Sequence, residues 1–221
     1  MQNYTMYAQR IMNSDVPFIR PDDSAGKVLS LMDEYKVRHL PLVNGEDFRG
    51  LVYEEDLMEV DEQTPMATLD ARQVATAPNC HLYDLVAQWV AAEVDVLPVV
   101  DEGNYLGCID ASSILRFLAQ ETHWAAKGAV LVLEIPERDL SISEIARLVE
   151  GADTKVVACT TAHAPDSSNV EVTLKVQTEE VEPVIATFQR FGYTIQSFLH
   201  APKLEEEMRE RYDAFMRYLK Q

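Results

Sequence analysis

The chain repeats itself at an offset of 57 residues, and a repeat of that size limits the fold more than any single residue does. Lys36-Val37-Arg38-His39-Leu40-Pro41-Leu42-Val43 lies over Glu93-Val94-Asp95-Val96-Leu97-Pro98-Val99-Val100, and Val37, Leu40, Pro41 and Val43 recur as Val94, Leu97, Pro98 and Val100. Without a gap, Gly50 falls on Gly107 and Pro21 on Pro78, and apolar character persists at Leu42/Val99, Phe48/Tyr105, Val52/Ile109 and Leu57/Ile114. A unit this short buries its own core poorly, so two copies are expected to stack and share one. The seam between such units is a natural place for a ligand.

Each copy reads strand, helix, strand, strand, helix. In the first, Pro21-Asp22-Asp23-Ser24 supplies turn and N-cap chemistry, and Val28, Leu31, Met32 and Tyr35 recur at helical spacing. Leu40 to Val43 and Phe48 to Tyr53 flank the turn Asn44-Gly45-Glu46-Asp47 as a hairpin, and Glu55 to Val60 opens a second helix. In the second copy Asn79 is the expected cap, followed by the stripe Leu82, Leu85, Val86, Trp89 and Val90. Leu97 to Val100 and Tyr105 to Ile109 are its strands, and Ser112 to Glu121 its closing helix. The acidic stretch Asp61 to Thr64, then Pro65, reads as the joint between copies.

After Gly128 the pattern changes. Ala129 to Ile135 is almost wholly apolar, as a buried strand should be. Ser141-Ile142-Ser143-Glu144 is a capping box in front of a short helix that turns Ile145, Leu148 and Val149 inward. Lys155 to Thr161 is a strand, and Val170 to Val176 alternates apolar and polar residues. A second helix carries Val181, Val184, Ile185, Phe188 and Phe191 on one face, and Thr194 to Leu199 completes a ferredoxin-like βαββαβ order. Leu204, Met208, Tyr212, Phe215 and Leu219 form an apolar stripe on a C-terminal helix suited to packing on a partner. The fold class expected is therefore α+β, with boundaries at 1–64, 65–124, 128–200 and 203–221.

The repeat resembles a pair of CBS (cystathionine-β-synthase-type) motifs, whose signature is a Leu/Ile-Pro-Val/Leu-Val strand followed by glycine and two apolar residues. The third segment resembles an ACT domain, and the order CBS–CBS–ACT is similar to the acetoin-utilization accessory type. The resemblance implies a regulatory module that binds an adenine nucleotide or another adenosyl ligand, such as S-adenosylmethionine, between its motifs. It also implies a strand ending Gly-apolar-apolar-Ser/Thr-x-x-Asp, whose carboxylate holds the ribose hydroxyls in charge-assisted hydrogen bonds. The first copy reads Gly50-Leu51-Val52-Tyr53-Glu54-Glu55-Asp56 and so keeps Asp56. The second reads Gly107-Cys108-Ile109-Asp110-Ala111-Ser112-Ser113 and places Ser113 there, a weaker acceptor.

Related proteins place phosphate contacts just before the Leu-Pro strand, where the first copy carries Lys36, Arg38 and His39 and the second Glu93, Asp95 and Val96. The resemblance thus points to one usable nucleotide cleft, built on Asp56, Lys36, Arg38 and His39. Bland readings stand beside these: a first-turn carboxylate on the helix dipole for Asp56, and a solvated helix end for Lys36, Arg38 and His39. In the ACT-like part, the glycine that admits an amino-acid ligand is missing from Pro136-Glu137-Arg138-Asp139-Leu140-Ser141, so that segment is expected to serve dimerisation.

The formal charge of −18 argues against nucleic acid, whose phosphates demand clustered Lys and Arg. No apolar run approaches the roughly 20 residues that span a bilayer. Three scattered cysteines without CxxC spacing, and a first segment (Met1 to Asp15) unlike a signal peptide, point to the cytoplasm. Eight glycines form neither a GxxxxGK[ST] nor a GxGxxG loop. The five histidines lack metal-ligand spacing, and nothing suggests a nucleophile. These features predict a non-enzyme without a metal or resident cofactor: a homodimeric sensor acting on an unidentified regulated protein. The rivals are a scaffolding subunit with vestigial clefts and an amino-acid sensor.

Overall fold

Ser24 and His81 stand at equivalent positions of the two copies, and each opens an eleven-residue helix by accepting a backbone N–H in its first turn. The computed structural model describes residues 6–163 and 168–199, which fall into two compact units divided between Glu121 and Thr122. In the first unit a short turn, α1 (Ala8–Ile11), precedes the repeats. Copy one then runs α2 (Ala25–Tyr35), β1 (His39–Asn44), β2 (Asp47–Tyr53) and α3 (Glu54–Leu57). Copy two runs α4 (Leu82–Ala92), β3 (Val96–Asp101), β4 (Asn104–Asp110) and α5 (Ala111–Glu121).

The register repeats in detail. α2 and α4 both stop at a left-handed residue, Lys36 with φ 56° and Glu93 with φ 52°. The leading strand of each copy is a single parallel bridge, Ile19 beside Leu42 and Thr76 beside Val99. The cap of α4 is therefore His81, not the Asn79 expected from residue type; the offset from Ser24 identifies it. The joint between copies is tethered, since Thr64 and Glu62 accept the amides of Ala25 and Gly26 at 2.9 Å.

The sheet runs β1-β2-β4-β3, with the two hairpins touching at their tips through Asp47 and Asn104. Each hairpin also takes up the segment that leads into the other copy. Arg72 exchanges both backbone hydrogen bonds with Leu51, at 2.8 and 2.9 Å, and Asn13 does so with Cys108, at 2.9 and 3.1 Å. That crossing explains the repeated glycines. A Cβ on Gly50 would lie 2.6 Å from Ala71 Cβ, and one on Gly107 2.9 Å from the Asn13 carbonyl oxygen. Both also hold positive φ, 142° and 155°. One shared core then forms from both copies, with Val28, Met32, Leu40, Leu51, Leu85, Leu97 and Ile109 within it.

The copies differ at the end of the hairpin. Asp110 caps α5: its Oδ1 accepts the Ser113 N–H at 2.8 Å, and Ser113 Oγ accepts the Asp110 N–H at 3.0 Å. Tyr53, the equivalent residue, makes no side-chain cap. The capped α5 runs eleven residues and the uncapped α3 only four, shorter than the helix expected from Glu55 to Val60.

The second unit runs β5 (Ala129–Pro136), α6 (Ile142–Glu150), β6 (Val156–His163), β7 (Asn169–Val176), α7 (Glu182–Arg190) and β8 (Thr194–Leu199), in sheet order β6-β7-β5-β8. This is the expected ferredoxin-like order, and with the first sheet it makes the chain α+β. Alternation puts Val170, Val172, Leu174 and Val176 against Leu131, Leu133, Ile145, Val149 and Phe188. Ser141 caps α6 by accepting the Glu144 N–H. Phe191 corrects the expected stripe: it is half exposed, with Arg147 and Arg190 over its ring at 5.7 and 5.3 Å. The expected C-terminal stripe from Leu204 to Leu219 lies outside the described residues.

Candidate functional site

The close of β2 and the crossing of the segment leading to α4 bring charged side chains to one end of the first unit. Tyr53 ends β2 and is buried, and the Arg72 guanidinium carbon stands 3.7 Å from its ring centroid. The Arg72 Nη2 donates to Glu55 Oε1 at 2.7 Å and to the two Asp56 oxygens at 3.0 and 3.2 Å. The His39 ring also packs edge-on against Tyr53, with ring centroids 4.4 Å apart.

Arg38 faces its repeat partner. Its Nε and Nη2 fork onto Asp95 at 3.2 Å each, and its backbone N–H donates to Asp95 Oδ2 at 2.8 Å. The Asp95 N–H in turn donates to His39 Nδ1 at 3.1 Å, which leaves the ring proton on Nε2. Burial opposes the Asp95 charge, but the hydrogen bonds and charge of Arg38 outweigh it and hold the carboxyl below its ordinary value. Burial also pushes the His39 pKa down, against a smaller opposing pull from Asp95. His39 is accordingly a neutral, buried hydrogen-bond acceptor.

These groups surround a cavity of about 390 Å³. Arg38, His39, Tyr53 and Arg72 line it, as do Glu54 and Glu55 at the start of α3 and Met58 at its C-cap, and Ala92 with Glu93 closes it from the end of α4. Of the four residues singled out from the sequence, Arg38 and His39 line this cavity. Lys36 does not; its Nζ pairs with Asp33 at 2.9 Å on an exposed helix end. Asp56 also stays outside the lining, with its carboxylate taken up by Arg72.

Arg72 and Asp95 are the residues that sequence reading missed. Opposite charges at equivalent positions of a repeat were a signal for the Arg38–Asp95 pair, because such positions meet near the axis relating the copies. Arg72 lies beyond the joint between copies, in the segment leading to α4, and carried no signal of its own.

The surface beside copy two is different in kind, and of the residues at an offset of 57 from the cavity lining only Ala111 and Leu115 border it. Val86, Trp89, Val90, Ile114 and Leu115 form an apolar groove of about 500 Å³ between α4 and α5. Ser113, the counterpart of Asp56, is buried and bonded to Asp110. Burial pushes the Cys108 thiol up to about 11, far from a nucleophilic thiolate. Among the described residues no His, Cys, Asp and Glu cluster could hold a metal, and no helix is long and apolar enough to cross a membrane.

The family model for the CBS domain matches residues 8–62, the stretch that carries β1, β2 and α3. Residues 8–62 thus carry a CBS domain. An inosine-5'-monophosphate dehydrogenase of Methanocaldococcus jannaschii is 26% identical over 113 residues, which is 49% of this chain and 23% of that protein. The CBS domain-containing protein YhcV of Bacillus subtilis is 24% identical over 105 residues, 44% of this chain and 75% of that protein. Among solved structures, a CBS domain pair/ACT domain protein from Thermotoga maritima is similar at TM-score 0.47 and 19% identity, over 52% of this chain and 98% of that one. The chain spans less than a quarter of the length of the dehydrogenase it matches.

Proposed function

We propose that this CBS-domain protein is a non-enzymatic regulatory module whose first-copy cleft takes an adenine nucleotide or another adenosyl compound. The observation that carries the reading is the cavity of about 390 Å³, a volume within the usual range of small-molecule sites. Tyr53, Met58 and Ala92 offer apolar surface to a purine, while Arg38, His39, Arg72 and the glutamates supply the few polar groups that fix orientation. The cavity is closed by both copies, α3 from one and the end of α4 from the other. A ligand there would bias their relative arrangement through its differential affinity, which is how a sensor signals.

The reading includes a cytoplasmic homodimer. On α4 and α5, Tyr83, Val90 and Leu115 are 78%, 73% and 65% exposed beside the apolar groove, and a second copy of the same face would cover them. Light scattering should give about twice 25.0 kDa. A second reading, a scaffold without an effector, is favoured by one fact: both arginines at the cavity already pair with the protein's own carboxylates.

Calorimetric titration with adenosine and AMP, on wild type and on Ala92→Trp, tests the cleft. Binding in wild type that disappears when the tryptophan fills the cavity is the expected result. Binding that survives the substitution places the ligand elsewhere, and silence from wild type at millimolar ligand hands the case to the scaffold.

A further inference from the structure

Two arginines reach the cavity, and they are held in different ways. Arg38 is bound to Asp95 by its fork and also by its backbone N–H, and that carboxylate is only 31% exposed against the buried His39. Withdrawing the guanidinium would leave a partly buried charge beside a neutral imidazole. Arg72 is held by exposed groups: the Glu55 carboxylate is 70% exposed and that of Asp56 39%. An exposed pair of this kind holds its partner by no more than about fivefold. None of the contacts to Glu55 and Asp56 uses Nε or Nη1. The Arg72 backbone is meanwhile fixed to Leu51, so its side chain swings from a rigid anchor.

We infer that Arg72, from the segment joining the copies, makes this cleft select a phosphorylated over an unphosphorylated nucleoside by exchanging Glu55 and Asp56 for the ligand's phosphate. The inference rests on the nucleoside reading of the cleft and assigns a group to it. A phosphate oxygen pair accepts the planar guanidinium fork as a carboxylate does, with more charge. The same exchange frees Asp56 to accept ribose hydroxyls. One available arginine among Glu54, Glu55 and Glu93 suits a single phosphate. Arg38 then contributes to the wall of the cleft and to the joint between copies, and Lys36 stays on its helix end.

The experiment is calorimetric titration of AMP, adenosine and inorganic phosphate into wild type, Arg72→Ala, Arg72→Lys and Glu55→Gln. The ratio of AMP to adenosine affinity should fall toward one in Arg72→Ala and recover in part in Arg72→Lys, which also covers an alanine variant that fails to fold. It should rise about two- to fivefold in Glu55→Gln, where a competitor for the guanidinium is weakened. A ratio unmoved by Arg72→Lys and Arg72→Ala, or unmoved or lowered by Glu55→Gln, overturns the inference. If adenosine binds to none of the proteins while phosphate still weakens without Arg72 and tightens in Glu55→Gln, the nucleoside reading falls and the exchange stands. If neither AMP nor phosphate binds to any of the four, the exchange is wrong.

Discussion

The two copies share caps, strands and even strand irregularities at an offset of 57 residues, yet one borders a charged cleft and the other an apolar groove. The backbone is common to both, so the difference comes from a few side chains at equivalent positions. Tyr53 against Asp110 decides whether the following helix is capped, and with it whether four or eleven residues are helical. His39 against Val96 puts a buried acceptor in one copy and a plain apolar residue in the other. Arg38 against Asp95 converts what would be two separate half-sites into one ion pair between the copies. A duplicated fold thus keeps its packing rules while the side chains at equivalent positions drift to different chemistry.

The largest effect should come from what the copies still share. Gly50→Ala would drive a Cβ into Ala71 at a positive φ, and a loss of about 2–4 kcal/mol is expected. Gly107→Ala, whose nearest obstacle is 2.9 Å rather than 2.6 Å away, should cost somewhat less. Gly45→Ala, in open space, should cost only about 1 kcal/mol for its left-handed backbone. Denaturant unfolding of the three variants tests this order, and a Gly50→Ala protein as stable as Gly45→Ala would break the symmetry argument.

At the next level the copies should part. Asp56→Ala removes an exposed carboxylate and should change stability by less than about 0.5 kcal/mol. It should nevertheless weaken AMP binding about ten- to hundredfold, the worth of a charge-assisted hydrogen bond. Ser113→Ala should do the reverse, costing about 1–2 kcal/mol through the lost reciprocal cap and leaving the ligand response unchanged. Melting curves and calorimetry on both variants would expose a reversed or shared pattern.

The smallest effect is a pH dependence confined to copy one. The folded protein holds the His39 pKa below its ordinary 6.5, so as pH falls the unfolded chain takes up this proton first. The contribution of neutral His39 is therefore complete above 6.5 and is lost as pH drops through the lower folded value. His39→Val, which installs the residue of copy two, should flatten the fall in melting temperature as pH drops below 6.5. An equal acid slope in both proteins would show that His39 carries none of it.

Much of this architecture was legible in the chain. The offset of 57 located both hairpins, both glycines and, had it been applied to Ser24, the cap at His81. Alternation in Val170 to Val176 placed that strand across its sheet. Phe191 was misplaced because helical spacing continues past a helix end that the chain has already left. Arg38 and His39 were named because the resemblance places phosphate contacts before the Leu-Pro strand, and they line the cavity, while Arg72 lies in a segment without periodicity or motif.

Local patterns determined what each segment becomes, since capping, alternation and repeated glycines act over a few residues and leave a periodic trace. The tertiary structure alone decided which charges meet. The segment leading to α4 crosses β2 at Gly50, and that crossing sets Arg72 over Tyr53 and against Glu55 and Asp56, 17 and 16 residues away in sequence. The pairing of the copies likewise joins Arg38 to Asp95. A side chain's partner depends on where distant backbone is carried, and Coulomb attraction chooses among groups only after packing has brought them within reach.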